Sequence, residues 1–143
     1  MLRQLPSAIR QKPCDLGDIE CRRELSDSLN AGLTERFGKA SDVTLRDHFI
    51  SRPDGSELRV RVYRNIGSTA RGALLYVHGG GMIVSCIEDY DARCMHYCTN
   101  TGLPVVSVDY PLAPESPYPA QIDDALTALS WMHASSADFG WDR

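Results

Sequence analysis

The 143-residue sequence predicts an α/β fold. Three features predict it: a stretch with an apolar period of two, two short apolar runs that do not alternate, and helical periodicity between and after those runs. Residues 1–40 precede this pattern and read as a separate, helical and rather polar segment. Ile19, Leu25, Leu29 and Leu33 recur there at loose helical spacing, and Gly38 is the expected stop. The stripe is thin, so the segment is expected to lean on residues 41–143. Next, Val43, Leu45 and Phe49 mark one strand, and Leu58, Val60 and Val62 alternate with Arg59, Arg61 and Tyr63 in a second. Between them, Arg52-Pro53-Asp54-Gly55 is turn chemistry, Pro fixing its own φ and Gly accepting a positive one, so an antiparallel hairpin is expected.

Ala73-Leu74-Leu75-Tyr76-Val77 is apolar without alternation, the pattern of a strand covered on both faces. It runs into His78-Gly79-Gly80-Gly81. Beyond that loop Ile87, Tyr90, Cys94, Tyr97 and Cys98 recur at three- and four-residue steps, a helix expected to stop at Gly102. Pro104 to Val108 is the next buried strand. A corner with prolines at 111, 114, 117 and 119 follows, and Pro119 suits the first turn of a helix whose expected inner stripe is Ile122, Ala125, Leu126, Leu129 and Met132. Asp123 and Asp124 sit early in it, where the helix dipole favours negative charge.

Composition narrows the function. Hydrophobic residues at 43% and charged residues at 24% exclude a disordered tail, a collagen-like chain and a coiled coil. A net charge of −4 argues against tracking of nucleic-acid phosphates. No run approaches the ~18 apolar residues of a membrane span, and Met1 to Pro6 lacks the apolar segment of a secretory signal. Cys14, Cys21, Cys86, Cys94 and Cys98 cannot all pair within one chain and show no disulfide framework, so reduced thiols in a cytoplasmic protein are expected. Cys94 and Cys98 share one helix face but His96 points away, so they read as buried thiols and no metal site is expected.

Three successive glycines after a buried strand imply backbone of unusual dihedrals or close approach to a ligand. A dinucleotide cradle fails because Val84 stands where Gly or Ala is needed. A P-loop fails because Gly38-Lys39 is followed by Ala40 and preceded by Leu33 at the earlier glycine position. An ordinary strand-to-helix turn remains open, as does an oxyanion hole, in which consecutive N–H groups stabilise the negative oxygen of an attacked ester, each donor contributing about 3–4 kcal/mol.

Val77-His78-Gly79-Gly80-Gly81, followed by Asp109-Tyr110-Pro111-Leu112-Ala113-Pro114-Glu115, closely resembles the hormone-sensitive-lipase-like family of α/β-hydrolases; Tyr118-Pro119-Ala120, Asp123-Asp124-Ala125 and Trp131 resemble that family's next helix. The resemblance implies the amino-terminal half of an α/β-hydrolase sheet over residues 41–143, preceded by a helical cap segment over 1–40. It implies that Gly79 and Gly80 offer oxyanion-hole N–H groups, that His78 and Gly81 shape the loop, and that Asp109 to Glu115, Tyr110 included, supports the site. The Ala113-Pro114 and Tyr118-Pro119 bonds become candidates for cis geometry. Three residues depart from the pattern: Pro111 replaces the usual Arg and removes a charged tether, Ser85 replaces a glycine, and Met82 replaces an aromatic.

Esterases of this kind need a Ser, an acid and a His in that order. The sequence contains no G-x-S-x-G, and the elbow is expected just beyond the position of Arg143. Ser85 and Ser107 have no base in any motif, and His48, His96 and His133 read as surface or partly buried residues. The expectation is the amino-terminal part of a serine esterase or lipase, inactive alone, without cofactor or metal. Its substrate in complete form would be a small-molecule ester, and homo-oligomerisation stays open. The alternative is a catalytically dead hydrolase-like protein that binds a ligand.

Overall fold

The computed structural model describes residues 14, 15, 17–37 (main chain only from 31 to 37) and 41–142. The side chain of Leu33 and the expected stop at Gly38 lie outside the described residues. Helix α1 (Ile19–Phe37) precedes the hairpin of β1 (Val43–Ser51) and β2 (Glu57–Asn65). Strand β3 (Leu74–Val77), a 3-10 turn (Glu88–Tyr90), helix α2 (Asp91–Thr101), strand β4 (Val105–Val108), helix α3 (Ala120–Ala134) and the short α4 (Ser136–Phe139) follow.

The sheet order is β1-β2-β4-β3. β1 and β2 are antiparallel from Val43 opposite Asn65 to Ser51 opposite Glu57, and Gly55 takes the positive φ of 85° that the turn requires. β4 pairs antiparallel with β2 and parallel with β3, which places Val77 beside Val108. The β3–β4 connection runs through α2. That helix ends in a left-handed Gly102 whose N–H bonds the Cys98 carbonyl, so the glycine stops it as expected.

Period two divides the core between the faces of the sheet. Leu58, Val60, Val62, Val106 and Val108 point to one side and pack with Ala128 and Met132 of α3 and with Tyr110 and Trp141. Tyr63 and Val105 point to the other and pack with Cys94 and Cys98 of α2. β4 is buried throughout, each of its valines contributing about 1.5–3 kcal/mol. On the α2 side Arg59 and Arg61 cannot stay bare, and carboxylates surround them. Arg59 holds Glu88 at 2.7 Å and Asp109 at 2.9 Å, and Arg61 holds Asp91 at 2.9 Å and Glu88 at 3.1 Å. The Arg61 bond, followed by the charges of Arg61 and Arg59, keeps the Asp47 carboxyl below its ordinary range. Helix α1, with its thin stripe, rests on α2 and the 3-10 turn.

The structure corrects three expectations. β3 is not covered on both faces: Leu74 and Val77 at its ends are exposed, because it is the edge strand of the described sheet. The inner face of α3 is Gln121, Asp124, Ala128 and Met132, whereas Ile122, Leu126 and Leu129 face outward. Burial of Asp124 is made tolerable by Arg52, whose Nε and Nη2 bond its two oxygens at 2.7 and 2.8 Å. Finally, Cys14 and Cys21 form a disulfide across the entry to α1, so the thiols are not all reduced; Cys86, Cys94 and Cys98 are free.

Candidate functional site

Parallel pairing sets the site. Because β3 and β4 end side by side at Val77 and Val108, the chain leaves both strands at the same level, His78 on one and Asp109-Tyr110 on the other. The Tyr110 hydroxyl donates to the His78 carbonyl at 2.7 Å and lies 3.0 Å from His78 Nδ1, and the two rings stack at 4.1 Å. His78 Nδ1 is also 2.9 Å from the Gly79 carbonyl, which can only accept, so this pattern assigns the proton to Nδ1. Burial, the largest influence, holds the His78 pKa below its ordinary value, so the imidazole is neutral at pH 7. His78 Nε2 is buried and has no hydrogen-bond partner among the described residues.

Beyond His78 the backbone adopts conformations that side chains avoid. Gly80 has φ 128°, Gly81 φ 61° and Met82 φ 66°. At Gly80 the glycine is obligatory, because a Cβ would fall 2.3 Å from the Val84 carbonyl oxygen. The Gly80 carbonyl turns back to accept the N–H groups of Ile83 and Val84 at 3.2 and 3.3 Å. Among the described residues, no main-chain hydrogen bond uses the N–H of Gly79, Gly80 or Gly81. The loop therefore presents three consecutive N–H donors that no main-chain group among the described residues takes up.

The Asp109–Glu115 corner underpins this loop. Asp109 bonds Arg59 through its carboxylate at 2.9 Å and through its N–H at 3.1 Å. The Ala113 N–H bonds the Met82 carbonyl at 2.8 Å. Gln121 donates to the carbonyls of Pro111 and Ser116 at 2.9 and 2.6 Å. Both Ala113-Pro114 and Tyr118-Pro119 are cis, as the resemblance implies. Thus His78, Gly79, Gly80, Gly81, Asp109 and Tyr110 come together at one end of the sheet.

The remaining candidates fall elsewhere. The Ser85 hydroxyl lies 3.1 Å from that of Ser26 and accepts from Asn30 at 3.2 Å. Ser107 is buried within β4. His48 packs against Trp131 and Phe139 on the far side of the sheet, and His96 and His133 are exposed. Cys94 and Cys98 are buried thiols as expected, and burial above all pushes the Cys94 pKa up to about 12. Among the described residues no group of three or more His, Cys, Asp or Glu is placed to hold a metal ion. An open groove between the hairpin turn and α3, lined by Phe49, Arg52, Leu126 and Trp131, includes none of residues 78–85.

Sequence reading missed Arg23. Its Nε donates to the Ile83 carbonyl at 3.0 Å, its Nη2 to the Ala113 carbonyl at 3.2 Å, and its fork grips the Glu115 carboxylate at 2.9 and 2.8 Å. This guanidinium reaches the corner from α1. The available signal was that Arg23, Ser26 and Asn30 stand three and four residues apart on one helical face.

Comparison with known proteins agrees with this architecture. A family model described as the alpha/beta hydrolase fold matches residues 74–143. An ethyl acetate hydrolase of Pseudomonas putida is 36% identical over 128 residues, covering 86% of this chain and 39% of that protein. The carboxylic ester hydrolase LipN of Mycobacterium tuberculosis is 38% identical over 101 residues, covering 71% of this chain and 27% of that protein. The solved hyperthermophilic esterase of the archaeon Pyrobaculum calidifontis superposes with a TM-score of 0.83 at 30% identity, over 94% of this chain and 42% of that one. The chain thus spans well under half the length of these relatives. With the glycine loop, the corner and the mixed sheet in these positions, the chain has the α/β-hydrolase fold, and its similarity to these ester hydrolases supports the hormone-sensitive-lipase-like family.

Proposed function

We propose that this chain is the amino-terminal portion of a serine carboxylic-ester hydrolase of esterase or lipase type, and that it contributes the oxyanion hole through the N–H groups of Gly79 and Gly80. Residues 41–143 form the first half of the hydrolase core, and residues 1–40 form the cap segment. The observation that carries the reading is the row of unspent amides at Gly79 to Gly81, directly after a strand end that His78 and Tyr110 hold in place. When an ester carbonyl is attacked, its oxygen gains charge, and donors already fixed in place stabilise that charge without reorganising. His78 shapes the loop as a neutral ring and takes no proton from the nucleophile. The attacking Ser and its Asp and His partners are not supplied by this chain, so residues 1–143 alone do not turn over esters. No metal or organic cofactor enters the reaction, and the substrate is a small-molecule ester.

The test joins residues 1–143 to the remaining carboxyl-terminal part of a matched esterase and measures p-nitrophenyl ester hydrolysis. The hybrid is expected to be active and sensitive to a serine-directed inhibitor. Gly80→Pro is expected to lower kcat by about 100-fold or more. Turnover by residues 1–143 alone that the inhibitor abolishes, or an unchanged kcat in the Gly80→Pro hybrid, refutes the proposal.

Among the described residues no helix is long and apolar enough to cross a membrane. A cytoplasmic location is part of the proposal and rests on the free Cys86, Cys94 and Cys98; the Cys14–Cys21 bridge weighs against it. Thiol counting on protein acid-quenched in whole cells decides the matter: five thiols support that location, and persistence of the bridge removes it.

A further inference from the structure

Helix α1 touches the glycine loop through one polar face, and the contacts fall on the loop's exit. Arg23 donates to the carbonyls of Ile83 and Ala113, one on the loop and one on the corner, and binds Glu115 through both carboxylate oxygens. Three residues further along α1, Ser26 meets the Ser85 hydroxyl at 3.1 Å, and after another turn Asn30 donates to that hydroxyl at 3.2 Å. Ser85 has φ 77°, a conformation a serine does not adopt without support. Ile83 is also the residue whose N–H closes the turn onto the Gly80 carbonyl. The Ile83 carbonyl that Arg23 holds also shares its peptide unit with the Val84 N–H, the second donor to the Gly80 carbonyl.

We propose that Arg23 is a positioning residue: by binding the Ile83 carbonyl, the Ala113 carbonyl and Glu115 at once, it ties α1, the glycine loop and the Asp109–Glu115 corner into one unit and keeps the Gly79 and Gly80 amides presented. The proposal rests on the reading of those amides as the oxyanion site, and it concerns what holds them there. A planar fork is needed because three acceptors in different directions must be met by one side chain; a lysine ammonium on a flexible stem cannot span them. Glu115 is exposed and adds little by itself as a surface ion pair, so the main-chain carbonyls are the contacts that transmit the effect.

The experiment measures amide hydrogen exchange, residue by residue, on the 143-residue chain. In Arg23→Ala, exchange at Ile83, Val84 and Ala113 is expected to accelerate about tenfold, while amides of the β2–β4 ladder keep their rates. Arg23→Lys is expected to fall between the two and carries the test if Arg23→Ala does not fold. Glu115→Gln, which leaves both carbonyl contacts in place, is expected to change loop exchange by less than about threefold. Unchanged exchange at Ile83 and Val84 in the arginine variants overturns the proposal, as does acceleration equal to that of the sheet amides or an effect of Glu115→Gln as large as that of Arg23→Ala. Because exchange is read without substrate, this test fails or succeeds independently of the hybrid ester assay that judges the oxyanion reading.

Discussion

Gly80→Ala is the sharpest single perturbation of this structure. The added methyl would lie 2.3 Å from the Val84 carbonyl oxygen and 3.0 Å from the Val84 carbonyl carbon, and both are backbone atoms that no rotamer change can move. The residue would also keep φ 128°, where a side chain is strained by about 1–3 kcal/mol. Relief requires opening the turn in which the Gly80 carbonyl accepts from Ile83 and Val84, at about 1 kcal/mol for each bond. Together these give a cost of about 3–5 kcal/mol. Gly81 is the internal control: it has φ 61°, but a methyl added there would meet no atom within 4 Å, so alanine suffers only the left-handed strain of about 1–2 kcal/mol. Urea unfolding of the two variants at pH 7, with m-values compared so that only midpoints differ, measures the gap. Equal losses at the two positions would refute the claim that close backbone approach, and not left-handed dihedrals alone, demands glycine at 80.

Three further outcomes follow from the same structure. Arg52→Met leaves the buried Asp124 carboxylate unpaired and is expected to cost about 3 kcal/mol in urea unfolding; adding Asp124→Asn should restore part of it, and an additive double variant contradicts the coupling. Burial depresses the pKa of His78 and, with help from Arg46, that of His48, so the unfolded chain binds protons more readily than the folded one as pH falls through about 6.5. Stability is therefore complete above that range and declines below it, by at most about 1.4 kcal/mol per pH unit for each histidine, and His78→Gln should flatten the slope. Val77→Lys on the open edge strand is expected to leave the unfolding free energy within about 0.5 kcal/mol while lowering light scattering at micromolar concentration; unchanged aggregation would show that β3 is not the adhesive edge.

The elements with local chemistry were legible in the sequence. The hairpin followed from period two and a Pro-Asp-Gly turn, the end of α2 from Gly102, and β4 from its apolar run, because each depends on residues within a few positions of one another. The candidate site's geometry was legible where motif and topology coincide: His78 and Tyr110 lie 32 residues apart but leave neighbouring strands at one level. Long-range polar pairing left no comparable trace. Arg52 and Asp124 are separated by 72 residues and Arg23 and Glu115 by 92, and nothing local distinguishes these arginines from solvated ones. The Cys14–Cys21 bridge escapes for a different reason: an odd cysteine count excludes complete pairing, and leaves a single bridge entirely open.

The two apolar misreadings share one cause. Periodicity reports how much of a helix or strand is apolar and leaves open which neighbour meets it. Helix α3 has apolar residues on two sides: Ala128 and Met132 meet the sheet, while Ile122, Leu126 and Leu129 face outward and stay exposed among the described residues. Edge strand β3 repeats the pattern with Leu74 and Val77 exposed, and α3 contacts β3, so the open surfaces belong to adjoining elements. Val77 immediately precedes His78. A strand laid along this edge parallel to β3 would end its run level with Val77, beside the Gly79 to Gly81 amides, which is where the proposed reaction requires a nucleophile to arrive. Under the proposed function, the same exposed residues that defeat the expectation of a covered strand would mark the side from which the glycine loop is approached.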